Sequence, residues 1–135
     1  MTLVDTSVWI DFFRGRATEE TATLEALVAG DHDILLCGLV LTEILQGMRR
    51  DRDFERTRAR LCLLPLLPMA EPVFTNAASI YRTLRKRGIT IRRTNDCLIA
   101  AIAVHHGVAL LHADADFDRI GRVYPLERAS LPSPE

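Results

Sequence analysis

The sequence predicts an α/β fold in which a parallel sheet is covered by helices. Short apolar runs alternate with longer segments of helical periodicity along the whole chain, the pattern of strand–helix–strand units. The candidate strands are apolar at successive positions rather than alternate ones, as strands buried on both faces are. At 135 residues, 48% of them hydrophobic, the chain suits one domain with its own core, and it shows no internal repeat. The domain is expected over residues 1–130, with 131–135 as a short C-terminal tail.

Taken in order, Leu3-Val4 is a first buried strand ending at Asp5. Thr6 and Ser7 suit a helix N-cap, and Val8 to Phe13 reads as a short helix stopped near Gly15. Thr18 caps a second helix, with Leu24, Leu27 and Val28 inward and Gly30 at its end. Ile34 to Cys37 is the second strand. After Gly38 a helix runs to about Gly47 and carries Glu43. Asp51 opens an Arg-rich helix that fades at Leu64-Pro65, and Leu66-Leu67 is a short strand between two prolines. Pro72 stands at the favoured first turn of a long helix, with Val73, Ala77, Ile80, Tyr81 and Leu84 as its apolar stripe. Gly88 closes it. Thr94 or Asn95 caps a helix through Leu98, Ile99, Ile102 and Ala103 that Gly107 stops. Val108 to Leu111 is a strand, Asp114 to Asp118 a loop or helical turn, and Tyr124 to Leu126 a last edge strand.

The start of the chain has neither a basic region nor a long apolar run, so it does not read as a secretory signal. No stretch approaches the roughly 20 apolar residues that span a bilayer. A cytoplasmic protein without membrane contact is expected. Cys37, Cys62 and Cys97 lie far apart in apolar settings and read as small buried hydrophobes. They lack the short paired spacing of a zinc site.

The net charge of −1 conceals a polarised distribution. Between Glu71 and Asp96 there is no acid but six cations: Arg82, Arg85, Lys86, Arg87, Arg92 and Arg93. Arg49, Arg50, Arg52, Arg56, Arg58 and Arg60 outnumber Asp51, Asp53 and Glu55. The rest of the chain is acid-rich. Such runs are either solvated helix faces or a bed for a phosphate backbone whose scissile bond meets the acids.

In open α/β sheets, ligands bind beyond the carboxyl ends of strands. Asp5 ends the first strand, and Asp114 follows the last long one by three residues. Asp96 stands in the first turn of a helix whose next residues are almost wholly apolar. There it is either a charge at a helix start or a site residue. Glu43 lies in Leu39–Leu45, an otherwise apolar helix, with Leu39 and Gly47 one turn away on either side and no cation near. A lone Glu in such a setting is rare unless paired. Carboxylates gathered in a low-dielectric site repel one another, and a hard divalent cation relieves the conflict. Mg²⁺ or Mn²⁺ takes oxygen ligands in octahedral geometry.

These segments resemble those of a known family. Val4-Asp5-Thr6-Ser7-Val8-Trp9-Ile10-Asp11 is similar to the opening of PIN-domain nucleases, and Thr42-Glu43-Ile44-Leu45-Gln46-Gly47 to their second motif. Thr94-Asn95-Asp96-Cys97-Leu98-Ile99-Ala100-Ala101 resembles the third, and Leu110-Leu111-His112-Ala113-Asp114-Ala115-Asp116-Phe117 the fourth. The four together, in order, resemble the VapC toxins of toxin–antitoxin pairs over nearly the whole chain. The resemblance implies a three-layer α/β/α sandwich and a Mg²⁺- or Mn²⁺-dependent endoribonuclease. It makes Asp5 and Asp96 the metal-binding acids, with Glu43 and Asp114 completing the cluster and Asp116 a further acid. Thr6 and Thr94 would support the site by hydrogen bonds. It also implies homodimers, and a VapB-type antitoxin that blocks the site and through which operator DNA is bound. His112 stands where many members have Thr or Ser, and Ala115 where a basic residue is common. His112 either fills space, or positions a phosphate or acts as a proton donor.

The chemistry expected is attack of a metal-activated water on an RNA phosphodiester, with arginines of the 49–60 and 82–93 segments on the flanking phosphates. His105 and His106 are adjacent, not at helical metal-site spacing, and read as helix-end residues. Trp9, Phe12 and Phe13 are candidates for a dimer face or for core. The alternatives are a PIN nuclease of RNA maturation and a catalytically silent module that binds RNA or antitoxin. A phosphatase of the haloacid dehalogenase type would need an acid where Ser7 stands.

Overall fold

A computed structural model describes residues 1–131 of the chain. The elements in order are β1 (Thr2–Val4), α1 (Thr6–Phe13), α2 (Glu19–Ala29), β2 (Ile34–Cys37), α3 (Gly38–Gln46) and α4 (Asp51–Leu61). Then follow β3 (Leu66–Leu67), α5 (Glu71–Lys86), α6 (Thr94–His105), β4 (Ala109–Leu111) and α7 (Ala115–Gly121). The four strands form one parallel sheet in the order β3-β2-β1-β4. The expected α/β architecture is therefore present, with helices covering the sheet. Of the expected tail, residues 132–135 lie outside the described residues.

The strands are short, two to four residues each. Every residue of β1 and β2 is buried. Leu3 pairs with Leu35 on one side and Leu110 on the other, so β1 is the centre of the sheet. Around it, α1 packs on α2 and α3, α4 on α3, and α5 on α6, which also carries α7. Helix α6 buries Ile99 through Ala103 without a break and so has no wet stripe in that stretch. Its alanines let α5 approach closely. Full burial of a residue such as Leu3, Ile102 or Leu110 removes about 1.5–3 kcal/mol worth of apolar surface from water.

The helix boundaries follow local chemistry. Thr18 caps α2 in a reciprocal box with Thr21. Pro72 occupies the first turn of α5. Gly88 and Gly107, with φ of 77° and 65°, take the left-handed turns that follow α5 and α6.

Five expectations are corrected. Val28, expected to face inward on α2 with Leu24 and Leu27, is exposed near the end of that helix. Tyr124–Leu126 is not a strand. Pro125 has no N–H to give a ladder, and the Leu126 N–H turns back to the Tyr124 carbonyl at 2.7 Å. The edge forms one step later, where Glu127 O and Ala129 N–H bond Leu110 and Arg128 makes a parallel bridge. Neither Thr94 nor Asn95 caps α6; Arg93 is at the cap, and its carbonyl accepts from Asp96 N–H. The same holds at α1, where Asp5 rather than Thr6 or Ser7 is the cap residue. Finally, Cys62 is exposed at the end of α4, whereas Cys37 and Cys97 are buried as expected.

Candidate active site

The parallel pairing of β1 and β4 puts their carboxyl ends on one edge of the sheet. Asp5 leaves β1 there and starts α1; its N–H donates to Leu111 O at 2.9 Å, tying the two strand ends together. Asp114 follows β4 and caps α7, its Oδ1 accepting from Asp116 N–H at 2.9 Å. Asp96 comes in from the first turn of α6 and Glu43 from the middle of α3. All four line one cleft of about 250 Å³, together with Thr6, Ser7, Ile10, Asp11 and Arg93. Residues spread over more than a hundred positions are thus brought to one place by the topology.

The acids are not equivalent. Asp5 and Asp96 are buried, at 6% and 5% exposure, while Glu43 and Asp114 are half-buried. Asp5 accepts from the Ser7 hydroxyl at 3.0 Å, and Glu43 accepts from Thr6 Oγ1 at 3.3 Å. Burial pushes the Asp5 carboxyl up; the Ser7 hydroxyl opposes this, and Glu43 adds to it. Asp96 is pushed up to about 7, first by burial and then by the charges of Asp5 and Asp114, with Arg93 acting against them. Its Oδ2 is buried without a hydrogen-bond partner among the described residues. Asp116, at 2% exposure, forms an ion pair with Arg119.

Asp96, Asp114 and Asp116 each place one carboxylate oxygen within 4.8 Å of the others. Oxygen-only donors, an unpartnered buried oxygen and mutually repelling acids fit a hard divalent cation. They do not fit zinc of the Cys/His type. The buried thiols of Cys37 and Cys97 are pushed up to about 11 by desolvation, so neither is a nucleophile at neutral pH.

Of the two supporting threonines expected, Thr6 is in the cleft and Thr94 is not. Thr94 is exposed and lines an apolar groove with Phe74, Tyr81 and Leu98. Among the basic runs, Arg93 is the residue that lines the cleft. Arg56 and Arg60 line a neighbouring groove of about 390 Å³ with Phe13, Ile44 and Met48, and Ile10 borders both spaces. Arg60 also lies over the Phe13 ring, and Arg58 is held by Glu55. Sequence reasoning passed over Asp11, which lines the cleft, and Arg119, which neutralises Asp116. The i,i+3 spacing of Asp116 and Arg119 was the available signal. Trp9 is buried, with Phe12 and Phe13 half-buried and packed on it, so the three are mainly core. His105 and His106 end α6 as expected, His106 Nε2 lying 2.9 Å from Pro68 O.

Comparison with known proteins agrees with this arrangement. Residues 2–123 match the PIN domain family. Ribonuclease VapC11 of Mycobacterium tuberculosis is 38% identical over 133 residues, covering 97% of this chain and 99% of the relative. VapBC-1 of nontypeable Haemophilus influenzae superposes with a TM-score of 0.75 at 16% identity, over 96% of each chain. VapBC2 of Rickettsia felis, solved with a DNA fragment from its promoter, superposes with a TM-score of 0.72 at 20% identity, over 96% of this chain and 97% of the other. A match over nearly the whole domain and a relative of full length show that the chain belongs to the VapC ribonucleases of the PIN-domain family.

Proposed function

We propose that the acidic cleft is the active site of a Mg²⁺-dependent endoribonuclease toxin, silenced by a VapB-type antitoxin. The observation that carries the reading is Asp96: a buried carboxylate with one oxygen unpartnered among the described residues, raised to about 7 first by burial and then by the charges of Asp5 and Asp114. A site so built is unfavourable without a cation and well suited to one. Asp5 and Asp96 would hold the ion, with Asp114 completing its surroundings; Mn²⁺ would be accepted by the same donors. Bound there, the ion would make water a better nucleophile and offset charge developing on the phosphate.

The chain's own residues supply the rest. Glu43 and Asp114 are half-open to the cleft, where they can orient the attacking water and accept its proton. Thr6 steadies Glu43 and Ser7 steadies Asp5 through their hydroxyls. Arg93 stands at the mouth as a donor for a phosphate oxygen. The other arginines of the 49–60 and 82–93 segments extend a positive surface for the flanking backbone.

The antitoxin part of the reading is supported by the VapBC assemblies that share the fold. It is also supported by the groove beside the cleft: a chain lying there passes Ile10 and reaches the acids. Operator DNA would be met only through that partner. A homodimer belongs to the same reading. The half-exposed Phe74, with Tyr81 and Leu98, offers it an apolar face on α5 and α6. Among the described residues no helix is long and apolar enough to cross a membrane.

The test is cleavage of total RNA by the purified chain with Mg²⁺ or with EDTA, beside Asp5→Ala. Cleavage is expected with Mg²⁺ alone. Activity that persists in EDTA or in the variant overturns the reading.

A further inference from the structure

His112 is buried to 1% exposure directly behind the cleft, yet it does not line it. A hydrophobic residue would fill that space at lower cost, because a buried imidazole must have its nitrogens partnered. Nδ1 is: it accepts from the Asp114 N–H at 3.3 Å, while Nε2 faces Asp118 Oδ1 at 3.8 Å, beyond hydrogen-bond distance. The ring rests on Phe117, with centroids 5.0 Å apart. Its own carbonyl accepts from Arg128 Nη2 at 3.3 Å, and Arg128 also reaches Asp118 and Glu20.

Asp114 needs such a support. It lies past the end of β4, so its N–H has no sheet partner. Its carbonyl accepts from Phe117 N–H and its Oδ1 from Asp116 N–H, both through the first turn of α7. The remaining handle, the N–H, is held by the His112 ring. An acceptor at Nδ1 leaves the ring proton on Nε2, toward Asp118.

We propose that His112 is a positioning residue for Asp114: its Nδ1 holds the Asp114 backbone and so sets where that carboxylate stands in the cleft. The proposal rests on the reading of Asp114 as a site acid. It gives the fourth motif a side-chain brace that a space-filling residue would not provide.

The experiment compares His112→Phe, His112→Asn and Asp114→Asn in the full-length chain. Phe keeps an aromatic ring against Phe117 but has no acceptor; Asn keeps an acceptor near the Nδ1 position. His112→Phe is expected to lower kcat about ten- to a hundredfold, the usual effect of removing a group that orients a metal-site ligand. KM should stay near the parent value, and Mn²⁺ binding by calorimetry should weaken. His112→Asn should recover most of the lost kcat. Long-range ¹H–¹⁵N spectra of the parent should show a bare Nδ1 and a protonated Nε2. A His112→Phe variant with parental kcat and Mn²⁺ affinity beside an impaired Asp114→Asn overturns the positioning role alone. An unimpaired Asp114→Asn overturns the site reading and the proposal with it. If His112→Phe does not fold, the spectra and His112→Asn decide: a proton on Nδ1, or an Asn variant as inactive as Asp114→Asn, overturns the role.

Discussion

The two walls of the cleft solve the problem of a buried carboxylate in opposite ways. On the wall made by α1 and α3, Asp5 and Glu43 are each dressed by a hydroxyl, from Ser7 and Thr6 respectively. On the wall made by α6 and α7, three carboxylates crowd within 4.8 Å. Arg119 neutralises Asp116 there, while Asp96 keeps an oxygen with no partner among the described residues. A hydroxyl lowers the cost of burying one charge but leaves the charge in place. Crowding that leaves a buried oxygen unpartnered creates a demand for positive charge. The α6–α7 wall thus creates the need for a cation, and the α1–α3 wall holds its acids at fixed positions beside it.

That contrast can be broken most directly at Asp96. Asp96→Asn should cut RNA cleavage at least a hundredfold, equivalent to about 3 kcal/mol of transition-state stabilisation. Parental turnover in this variant would remove the α6–α7 wall from the chemistry.

The next largest effect separates two acids of one short segment. Asp114→Asn should lose roughly tenfold or more in rate with little change in stability. Asp116→Asn should instead destabilise the fold by about 1–3 kcal/mol, because Arg119 loses a charged hydrogen-bond partner. Paired turnover and urea-unfolding measurements check this. Reversed patterns would move Asp116 into the working site.

A pH series on EDTA-treated protein sharpens the electrostatic side. The Asp96 carboxyl is raised from 3.8 to about 7, so the folded chain holds that proton more tightly than the unfolded chain. Its contribution favours folding at low pH and is lost as pH rises from about 4 to about 7, then levels off. The raised Asp5 acts in the same direction. Unfolding free energy should slope downward over that range and the slope should flatten in Asp96→Asn. A slope unchanged by the substitution would mean that Asp96 is not the group responsible.

The smallest effect is expected on the dressed wall. Ser7→Ala removes one hydroxyl from Asp5, a contribution of about 1 kcal/mol. Cleavage should fall several-fold, most clearly at the acid end of the pH profile, where Asp5 would now hold its proton longer. A loss as deep as that of Asp96→Asn would contradict the division between the walls.

Much of this was legible in the sequence because it is local. Strand apolarity, the Thr18 cap, Pro72 and the stops at Gly88 and Gly107 depend on residues within a turn of one another. The acids were legible because each interrupts an apolar run that nothing nearby explains. What escaped was set by partners distant in sequence or by backbone alternatives. Leu126 turned back on Tyr124 and shifted the last edge to Arg128. Thr94 faced the α5–α6 groove because α6 begins with Arg93 at its cap. Cys62 sits among leucines in the sequence, but the helix ends there and leaves it exposed. The two nitrogens of His112 could be assigned only once Asp118 had come round on α7.

The strand order has a consequence for synthesis. β1 leaves the ribosome before either of its neighbours in the sheet, β2 and β4. Its second neighbour, Ala109–Leu111, is made more than a hundred residues later. Contacts of such long range close late in folding. Asp5 therefore waits for Asp114 until β4 has been made, and a nascent or truncated chain that stops before β4 has a sheet with an open side and no complete acidic cleft. Assembly of the cleft is thereby tied to synthesis of the segment from β4 to Asp114.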